Sequence, residues 1–295
     1  MFDLKKACKN CTPQTIKKYR RDVLRLCKLI DLDKIPDSGT WLKSDKLFKK
    51  YHSLPLNKRR ALSVAGVKAN QAYGLKNEKW VNAMLSDVKQ YKQNRGKQKL
   101  SETEKKKMPV EGFKALKKIS TEFKRSIKTD IAKNNIKGLY KFSQALIIRF
   151  YSEVAFRNDL ATVQINTGEN KLTKSKGIYS IQMTNFKASD KLGKITVGLS
   201  KALSAVLSKY IKYRAKFDLD HAFLLVGPNG KKLSKKGLGN ILNRITKQYL
   251  GTGGFGTRII RILTARSEKD TIDKAKKIAS DMLHSLEQSQ MYNKS

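Results

Sequence analysis

Cationic side chains recur at defined places in the second half of the sequence. Arg157 lies in EVAFRNDLATVQI, between a predicted helix and a predicted strand, and Lys187 lies in MTNFKASDKLGK, between two predicted strands. Arg258 and Arg261 are three residues apart on a predicted helix, so their side chains share one face. Guanidinium groups bind phosphate oxygens through paired hydrogen bonds, so phosphate is the chemistry that these residues suit.

Two further side chains that can do chemistry lie in the segment LHSLEQSQMYNK. His284 ends the last predicted helix, where the helix dipole favours a protonated imidazole, and Tyr292 follows it. Taken singly, each has an ordinary interpretation. An arginine in a basic chain is usually solvated, and a tyrosine near a chain end is usually a packing residue. The order of all six residues carries more information than any one of them.

That order resembles the tyrosine recombinase (phage integrase) family. The family's catalytic domain has an arginine after a helix, a lysine on a β-hairpin, an H-x-x-R helix, a histidine or tryptophan, and a nucleophilic tyrosine. LHSLEQSQMYNK is the most specific match, and AFRNDL is moderately specific. The match is most similar to integrases carried by viruses and mobile elements.

The resemblance implies a site-specific recombinase that cleaves and rejoins double-stranded DNA through a 3′-phosphotyrosine, with strand exchange through a Holliday junction. Tyr292 would attack the phosphate, and Arg157 and Arg261 would hold its non-bridging oxygens. Arg258 and His284 would supply extra donors. By the same resemblance, the protein would act as a tetramer on DNA and need no metal ion or nucleotide cofactor.

The sequence departs from the family's pattern at two positions, and one role stays open. Arg258 stands where the family usually has the histidine of H-x-x-R, and Leu283 replaces the usual glycine before His284. The general acid that protonates the leaving 5′-oxygen would be Lys187, but Lys191 is close enough in sequence to compete.

The charge balance independently points to nucleic acid. The 295 residues include 64 Lys and Arg against 24 Asp and Glu, a formal net charge of +40 spread along the whole chain. Such an excess attracts polyanions. An anionic membrane is the rival, but the sequence shows no signal peptide and no apolar run long enough to span a bilayer. We expect an intracellular protein that acts on DNA in a host nucleus, a cytoplasm or a viral factory.

Periodicity predicts an α+β protein, mainly α-helical with a small antiparallel β-sheet. Residues 1–92 read as a helical core-binding domain, residues 93–110 as a basic linker, and residues 111–295 as the catalytic domain. After residue 160, three short β-branched runs predict the strands of the sheet: ATVQI, IYSIQMT and KITVGLS. On the first domain, one helix carries basic residues that we expect to contact DNA: Lys58, Arg59, Arg60 and Lys68.

Two patterns suggest sites that we do not expect. Cys8 and Cys11 have the spacing of half a zinc site, but the remaining Cys27 stands alone and no histidine lies close. We therefore expect three reduced thiols and no metal. GTGGFG at 251–256 has the letters of a dinucleotide motif, but a predicted helix precedes it where a strand is required. A connection ending at a helix that begins near Thr257 is the better interpretation.

Two other functions stay open at this point. A type IB topoisomerase uses the same chemistry to relax DNA as a monomer, without strand exchange. A non-catalytic DNA-binding protein that retains the fold is compatible with Arg258 in place of histidine.

Overall fold

The computed structural model describes residues 2–96, 100–251 and 253–267, except for the side chains of residues 95, 96 and 191. The chain divides into two compact units, Met1–Leu100 and Ser101–Ser295. Among the helices that the structure describes, none has the combination of length and apolarity that crossing a membrane requires.

The first unit is built from helices in the part of it that the structure describes. They are α1 (Pro13–Lys28), α2 (Asp45–His52), α3 (Leu56–Ala72) and α4 (Glu78–Gly96), with 3₁₀ turns at Lys6–Cys8 and Gly39–Lys43. Thr12 caps α1 by accepting a hydrogen bond from the Thr15 backbone N–H, and Pro13 occupies the first helical position.

An aromatic and aliphatic core holds these helices together. Its fully buried members include Val23, Leu26, Leu42, Leu47, Tyr51, Ala65 and Trp80. Gly66 of α3 allows α4 to approach closely, because a Cβ atom there would lie 2.3 Å from the Trp80 ring. The ring is fixed by a 2.9 Å hydrogen bond from its Nε1 to the Leu42 carbonyl.

The expectation of three reduced thiols is wrong for two of them. Cys8 and Cys11 form a disulfide across a tight turn that brings their Cα atoms to 5.3 Å, within the usual range for such bonds. Cys27 is free and buried, and burial raises the pKa of its thiol to about 11. It therefore stays a protonated core residue.

In the residues that the structure describes, the second unit is a helical assembly with a small sheet. Its helices are α5 (Glu102–Lys105), α6 (Lys114–Ser126), α7 (Lys128–Ala132), α8 (Ile136–Tyr151), α9 (Ser189–Leu192), α10 (Lys201–Arg214), α11 (Lys235–Leu250) and α12 (Thr257–Ser267). Further 3₁₀ turns lie at Asn158–Thr162 and Pro228–Gly230. The α+β fold class predicted from the sequence is confirmed. The predicted start of a helix near Thr257 is also confirmed, after a glycine segment in which Gly251 ends α11 in the left-handed conformation.

The sheet has four strands in the order β1–β2–β3–β4. They are β1 (Gln164–Ile165), β2 (Asn170–Ser175), β3 (Ile178–Met183) and β4 (Ile195–Gly198). β3 pairs antiparallel with β4, as predicted, and also with β2. The two-residue β1 pairs parallel with β2, so the sheet is mixed and the antiparallel expectation is wrong for this strand. β2 was not among the predicted strands, because its NKLTKS sequence is mostly polar and places only Asn170 and Leu172 in the interior.

Helix α8 lies at the centre of the second unit's core. It packs against α6, α7, α10 and α11, and most of its residues from Ser143 to Tyr151 are buried. The sheet adds Leu172, Ile181 and Met183 to the same core. The chain leaves α8 at Tyr151 and reaches Arg157 six residues later, so the first predicted site residue follows directly from the most buried helix.

Candidate active site

Arg157 is held at its backbone and exposed at its side chain. The hydroxyl of the buried Tyr151 donates a 2.8 Å hydrogen bond to the Arg157 carbonyl, which fixes the turn after α8. Burial raises the pKa of Tyr151 well above its usual range, so this hydroxyl remains a donor. The Arg157 side chain is exposed to solvent.

Asn158 joins the Arg157 turn to the two last described helices. The Thr257 hydroxyl, at the start of α12, donates to Asn158 Oδ1 at 3.0 Å. Asn158 Nδ2 donates to the Lys235 carbonyl at the start of α11, also at 3.0 Å. Asn158, which follows Arg157, is therefore hydrogen-bonded to Thr257, which precedes Arg258, and the two residues are 99 positions apart in the sequence.

The hydrogen bonds of Asn158 bring together the three arginines that were predicted as site residues. Arg157 and Arg258 lie close enough to Arg261 to influence it electrostatically. Arg261 is partly buried, and its Nε donates to the Thr257 carbonyl at 3.3 Å. Burial, and then the positive charges of Arg157 and Arg258, lower the pKa of Arg261. The three positive charges repel one another, and an anion bound between them would attract all three. Such an anion would therefore be stabilised.

Acidic partners offset part of this charge. The side chain of Lys235 forms an ion pair with the buried Asp159, which lies two residues after Arg157. Glu104 forms an ion pair with Arg258, with 2.5 Å between Oε1 and Nη2. None of these three partners, Asp159, Lys235 and Glu104, was predicted from the sequence as a site residue. Asp159 lies within the AFRNDL motif and was within reach of sequence reasoning, whereas the Glu104–Arg258 contact spans 154 residues and was not.

Lys187 lies in the connection between β3 and β4, with an exposed side chain. The start of this connection is pinned by the buried Asn170. Its Oδ1 accepts hydrogen bonds from the backbone N–H groups of Thr184 at 3.0 Å and Asn185 at 2.9 Å. Its Nδ2 donates to Thr162 Oγ1 at 2.7 Å, within the 3₁₀ turn that follows Arg157. One asparagine therefore links the Lys187 connection to the Arg157 turn.

The rival lysine, Lys191, lies in the one-turn helix α9, four residues beyond Lys187 in the same connection. His284 and Tyr292 lie outside the described residues, as does the helix predicted to end near His284. The structure therefore brings Arg157, Arg258 and Arg261 together. It leaves the choice between the two lysines open.

The basic residues predicted on α3 have different surroundings. Lys58 is exposed to solvent. Arg59 is only 19% exposed and pairs with the buried Asp87 at 3.2 Å, while its other contacts include Gln90 Oε1 at 3.0 Å. Asp87 also accepts a hydrogen bond from the Tyr51 hydroxyl. The charge of Arg59 is thus already compensated within the first unit.

Arg60 and Lys68 likewise have partners within that unit. The Arg60 guanidinium carbon lies 4.2 Å from the centre of the Tyr91 ring. Lys68 Nζ donates to the Ala7 carbonyl and to Gln71 Oε1, each at 2.9 Å. Of the four residues, Lys58 is the one that the structure leaves most accessible, and the binding role of all four stays a prediction.

Within the described ranges, no group of three or more histidine, cysteine, aspartate or glutamate side chains is arranged to hold a metal ion. No protein family matches the sequence, and no curated protein matches it. The structure is similar to the crystal structure of XerA recombinase, with a TM-score of 0.40 and 14% sequence identity. The alignment covers 99% of this chain and 92% of that chain. A likeness of this strength assigns neither a family nor an activity.

Proposed function

We propose that this protein is a tyrosine recombinase that breaks and rejoins double-stranded DNA through a covalent 3′-phosphotyrosine intermediate. The observation that carries the proposal is the Asn158–Thr257 hydrogen bond, which places Arg157 next to the helix that bears Arg258 and Arg261. The order of the motifs in the sequence predicts these three arginines as site residues without using their positions in space. Agreement between the two supports a site for one phosphodiester.

The charges of the site support the following cleavage reaction. The Tyr292 hydroxyl releases its proton to solvent and its Oη attacks phosphorus, while the bond from phosphorus to the 5′-oxygen breaks. Arg157 and Arg261 stabilise the two non-bridging oxygens as charge builds on them. The departing 5′-oxygen takes a proton from Lys187. The phosphotyrosine conserves the energy of the broken bond, so attack by a free 5′-hydroxyl reverses the step.

His284 and Arg258 act as further donors to the same phosphate in this scheme. An arginine stays protonated near neutral pH, so Arg258 serves as a fixed donor and not as a proton carrier. The first unit contributes phosphate contacts that hold the duplex, with strand exchange carried out by four copies on DNA. The net charge of +40 supports the choice of a polyanionic substrate.

Incubation with a labelled suicide DNA substrate in EDTA tests the proposal. We expect a covalent protein–DNA adduct from the wild type and none from Tyr292→Phe, because only the phenolic oxygen can form the ester. Peptide mapping of the adduct identifies the attached residue. An adduct that survives in Tyr292→Phe would show that another residue is the nucleophile.

Two rival functions predict different results. A type IB topoisomerase would relax supercoiled DNA as a monomer and produce no recombinant product. A DNA-binding protein without catalytic activity would give no adduct, and the departure at Arg258 is the feature that favours this alternative. Recombination between two target sites, with analysis of the assembly by analytical ultracentrifugation, distinguishes the first rival. The suicide substrate distinguishes the second.

A further inference from the structure

Glu104 is fixed on one side by the turn that it helps to cap. Its Oε2 accepts hydrogen bonds from the Ser101 backbone N–H and from Ser101 Oγ, each at 2.9 Å. The Glu104 backbone N–H returns a 3.3 Å hydrogen bond to Ser101 Oγ, which completes a capping box at the start of α5. The backbone hydrogen bond from Ser101 is the main cause that lowers the pKa of Glu104, so the carboxylate is charged.

The other carboxylate oxygen of Glu104 is directed at Arg258. Glu104 Oε1 lies 2.7 Å from Nε and 2.5 Å from Nη2 of Arg258. Two donors on one oxygen fix the plane of the guanidinium as well as its position. The Glu104 side chain is 13% exposed and that of Arg258 is 59% exposed, so the arginine still presents N–H groups to solvent.

An arginine at this position needs such a partner more than a histidine does. Its side chain has more rotatable bonds, so holding it in one orientation costs more conformational entropy. It also carries a permanent charge close to Arg261, whose pKa is lowered first by burial and then by the charges of Arg157 and Arg258. A fixed carboxylate both orients the guanidinium and offsets the repulsion between the two arginines.

We propose that Glu104 is a positioning residue that holds the Arg258 guanidinium in the orientation that meets the reacting phosphate. Glu104 does not touch the DNA in this scheme and acts only through Arg258. The Glu104 carboxylate gives the Arg258 side chain a fixed orientation. A histidine would need less help, because its side chain is shorter and less flexible. This inference rests on the proposed recombinase function and adds to it a residue from the start of the second unit.

Single-turnover cleavage rates test the role. We expect Glu104→Ala to cleave about tenfold more slowly, a part of the ~10²-fold loss expected when a transition-state donor is removed altogether. Glu104→Gln keeps an oxygen that can accept from Arg258 and should recover most of that loss. Glu102→Ala is the matched control, because Glu102 lies on the same turn, is 78% exposed and pairs only with Lys105 among the described residues. It should cleave at the wild-type rate.

The affinity for DNA separates positioning from competition. If Glu104 positions Arg258, Glu104→Ala should bind the duplex about as tightly as the wild type, so the loss falls on the cleavage step. If Glu104 merely occupies Arg258 until a phosphate displaces it, Glu104→Ala should bind more tightly and cleave faster. That result would overturn the proposal.

A double-mutant cycle separates positioning from a general role in folding. In the Arg258→His background, the shorter side chain does not need the carboxylate, so adding Glu104→Ala should change the cleavage rate by less than about twofold. The same tenfold loss in this background would show that Glu104 acts on the turn itself and would overturn the proposal. Thermal unfolding of each variant checks that the chains compared are folded.

Nuclear magnetic resonance of arginine side chains gives a readout that does not depend on cleavage. The Arg258 Nε–H resonance, assigned by its loss in Arg258→Lys, should be protected from solvent exchange in the wild type and exchange rapidly in Glu104→Ala. An unchanged resonance would refute positioning by Glu104. A wild type that forms no covalent adduct would instead refute the proposed function, so the two failures are distinguishable.

Discussion

Arg258 differs from the histidine that the resembled family usually has at this position, because it cannot titrate near neutral pH. It shares a helix face with Arg261, and both can direct donors at one phosphate. We expect Arg258→Ala to lose about 10²-fold or more in cleavage rate, the scale for removing one transition-state donor. Arg261→Ala should lose at least as much, because Arg261 is one arm of the pair that holds the phosphate.

The Arg258→His variant serves as the conservative comparison. It restores the residue that the family usually has and still offers a hydrogen-bond donor, so it should retain measurable cleavage. Single-turnover rates with DNA at saturation measure all three variants on one scale. Wild-type rates in Arg258→Ala would mean that Arg258 is a surface residue and that Arg261 acts without it.

Among the elements, the connection that carries Lys187 depends on one buried side chain. Asn170 makes hydrogen bonds to Thr162, to Thr184 and to both backbone groups of Asn185. Asn170→Ala leaves the N–H groups of Thr184 and Asn185 without their partner, and we expect a loss of about 2–3 kcal/mol in the free energy of unfolding. Urea denaturation followed by circular dichroism measures this loss.

Asn185→Ala is the control for that experiment. The Asn185 side chain is exposed and bonds only to Glu169 among the described residues, at 2.7 Å, so its removal should cost less than about 0.5 kcal/mol. We also expect Asn170→Ala, and not Asn185→Ala, to slow cleavage, because it loosens the start of the connection that carries Lys187. Equal stability of the two variants would mean that Asn170 does not organise this connection.

The contact between α3 and α4 depends on the absence of a side chain at Gly66. Alanine favours a helix over glycine by about 1 kcal/mol, but its Cβ would meet the buried Trp80 ring at 2.3 Å. The ring is tied to Leu42 and cannot move freely, so overpacking of about 1–3 kcal/mol should outweigh the helix propensity. We expect Gly66→Ala to destabilise the first unit.

Tryptophan fluorescence reports on that unit alone, because the chain has two tryptophans, Trp41 and Trp80, and both lie within Met1–Leu100. Urea unfolding followed by this signal should shift to a lower midpoint in Gly66→Ala. Ser86→Ala, on the exposed face of α4, should leave the midpoint unchanged. A stabilised Gly66→Ala would show that the two helices can separate at little cost.

At the scale of the whole molecule, the basic residues predict a binding mode dominated by phosphate contacts. If about six or more phosphates are neutralised, affinity for duplex DNA should fall by ~10³-fold or more between low and moderate salt. Lys58→Ala, which removes an exposed charge on α3, should reduce the slope of log affinity against log salt by about one unit. Fluorescence anisotropy at several salt concentrations measures both quantities.

Deletion of residues 1–92 tests whether the first unit takes part in binding. We expect a strong loss of affinity, since basic residues of that unit are predicted to contact the backbone of the duplex. A deletion variant that binds DNA as tightly as the full chain would restrict binding to the second unit. Thermal unfolding of the shortened chain confirms that the comparison is between folded proteins.

Local patterns in the sequence were enough to predict the fold class and the strongly basic character of the protein. Hydrophobic periodicity depends on local spacing, so it was enough to predict the α+β class, and the charge excess predicted a polyanionic partner. The motif order named Arg157, Arg258 and Arg261 without any distance between them. β2 was not predicted, because its NKLTKS sequence has too few apolar residues to reveal a period of two.

Which of the predicted site residues lie close together, and which partners they have, depends on tertiary contacts. The Asn158–Thr257 hydrogen bond and the Glu104–Arg258 ion pair join positions that are 99 and 154 residues apart. Local spacing carries no information about such contacts. The same holds on α3, where Arg59 looks like a free cation in the sequence but is compensated by Asp87 of another helix. Whether a charge is free to bind a phosphate depends on what the fold packs beside it, and that is settled by contacts between distant segments of the chain.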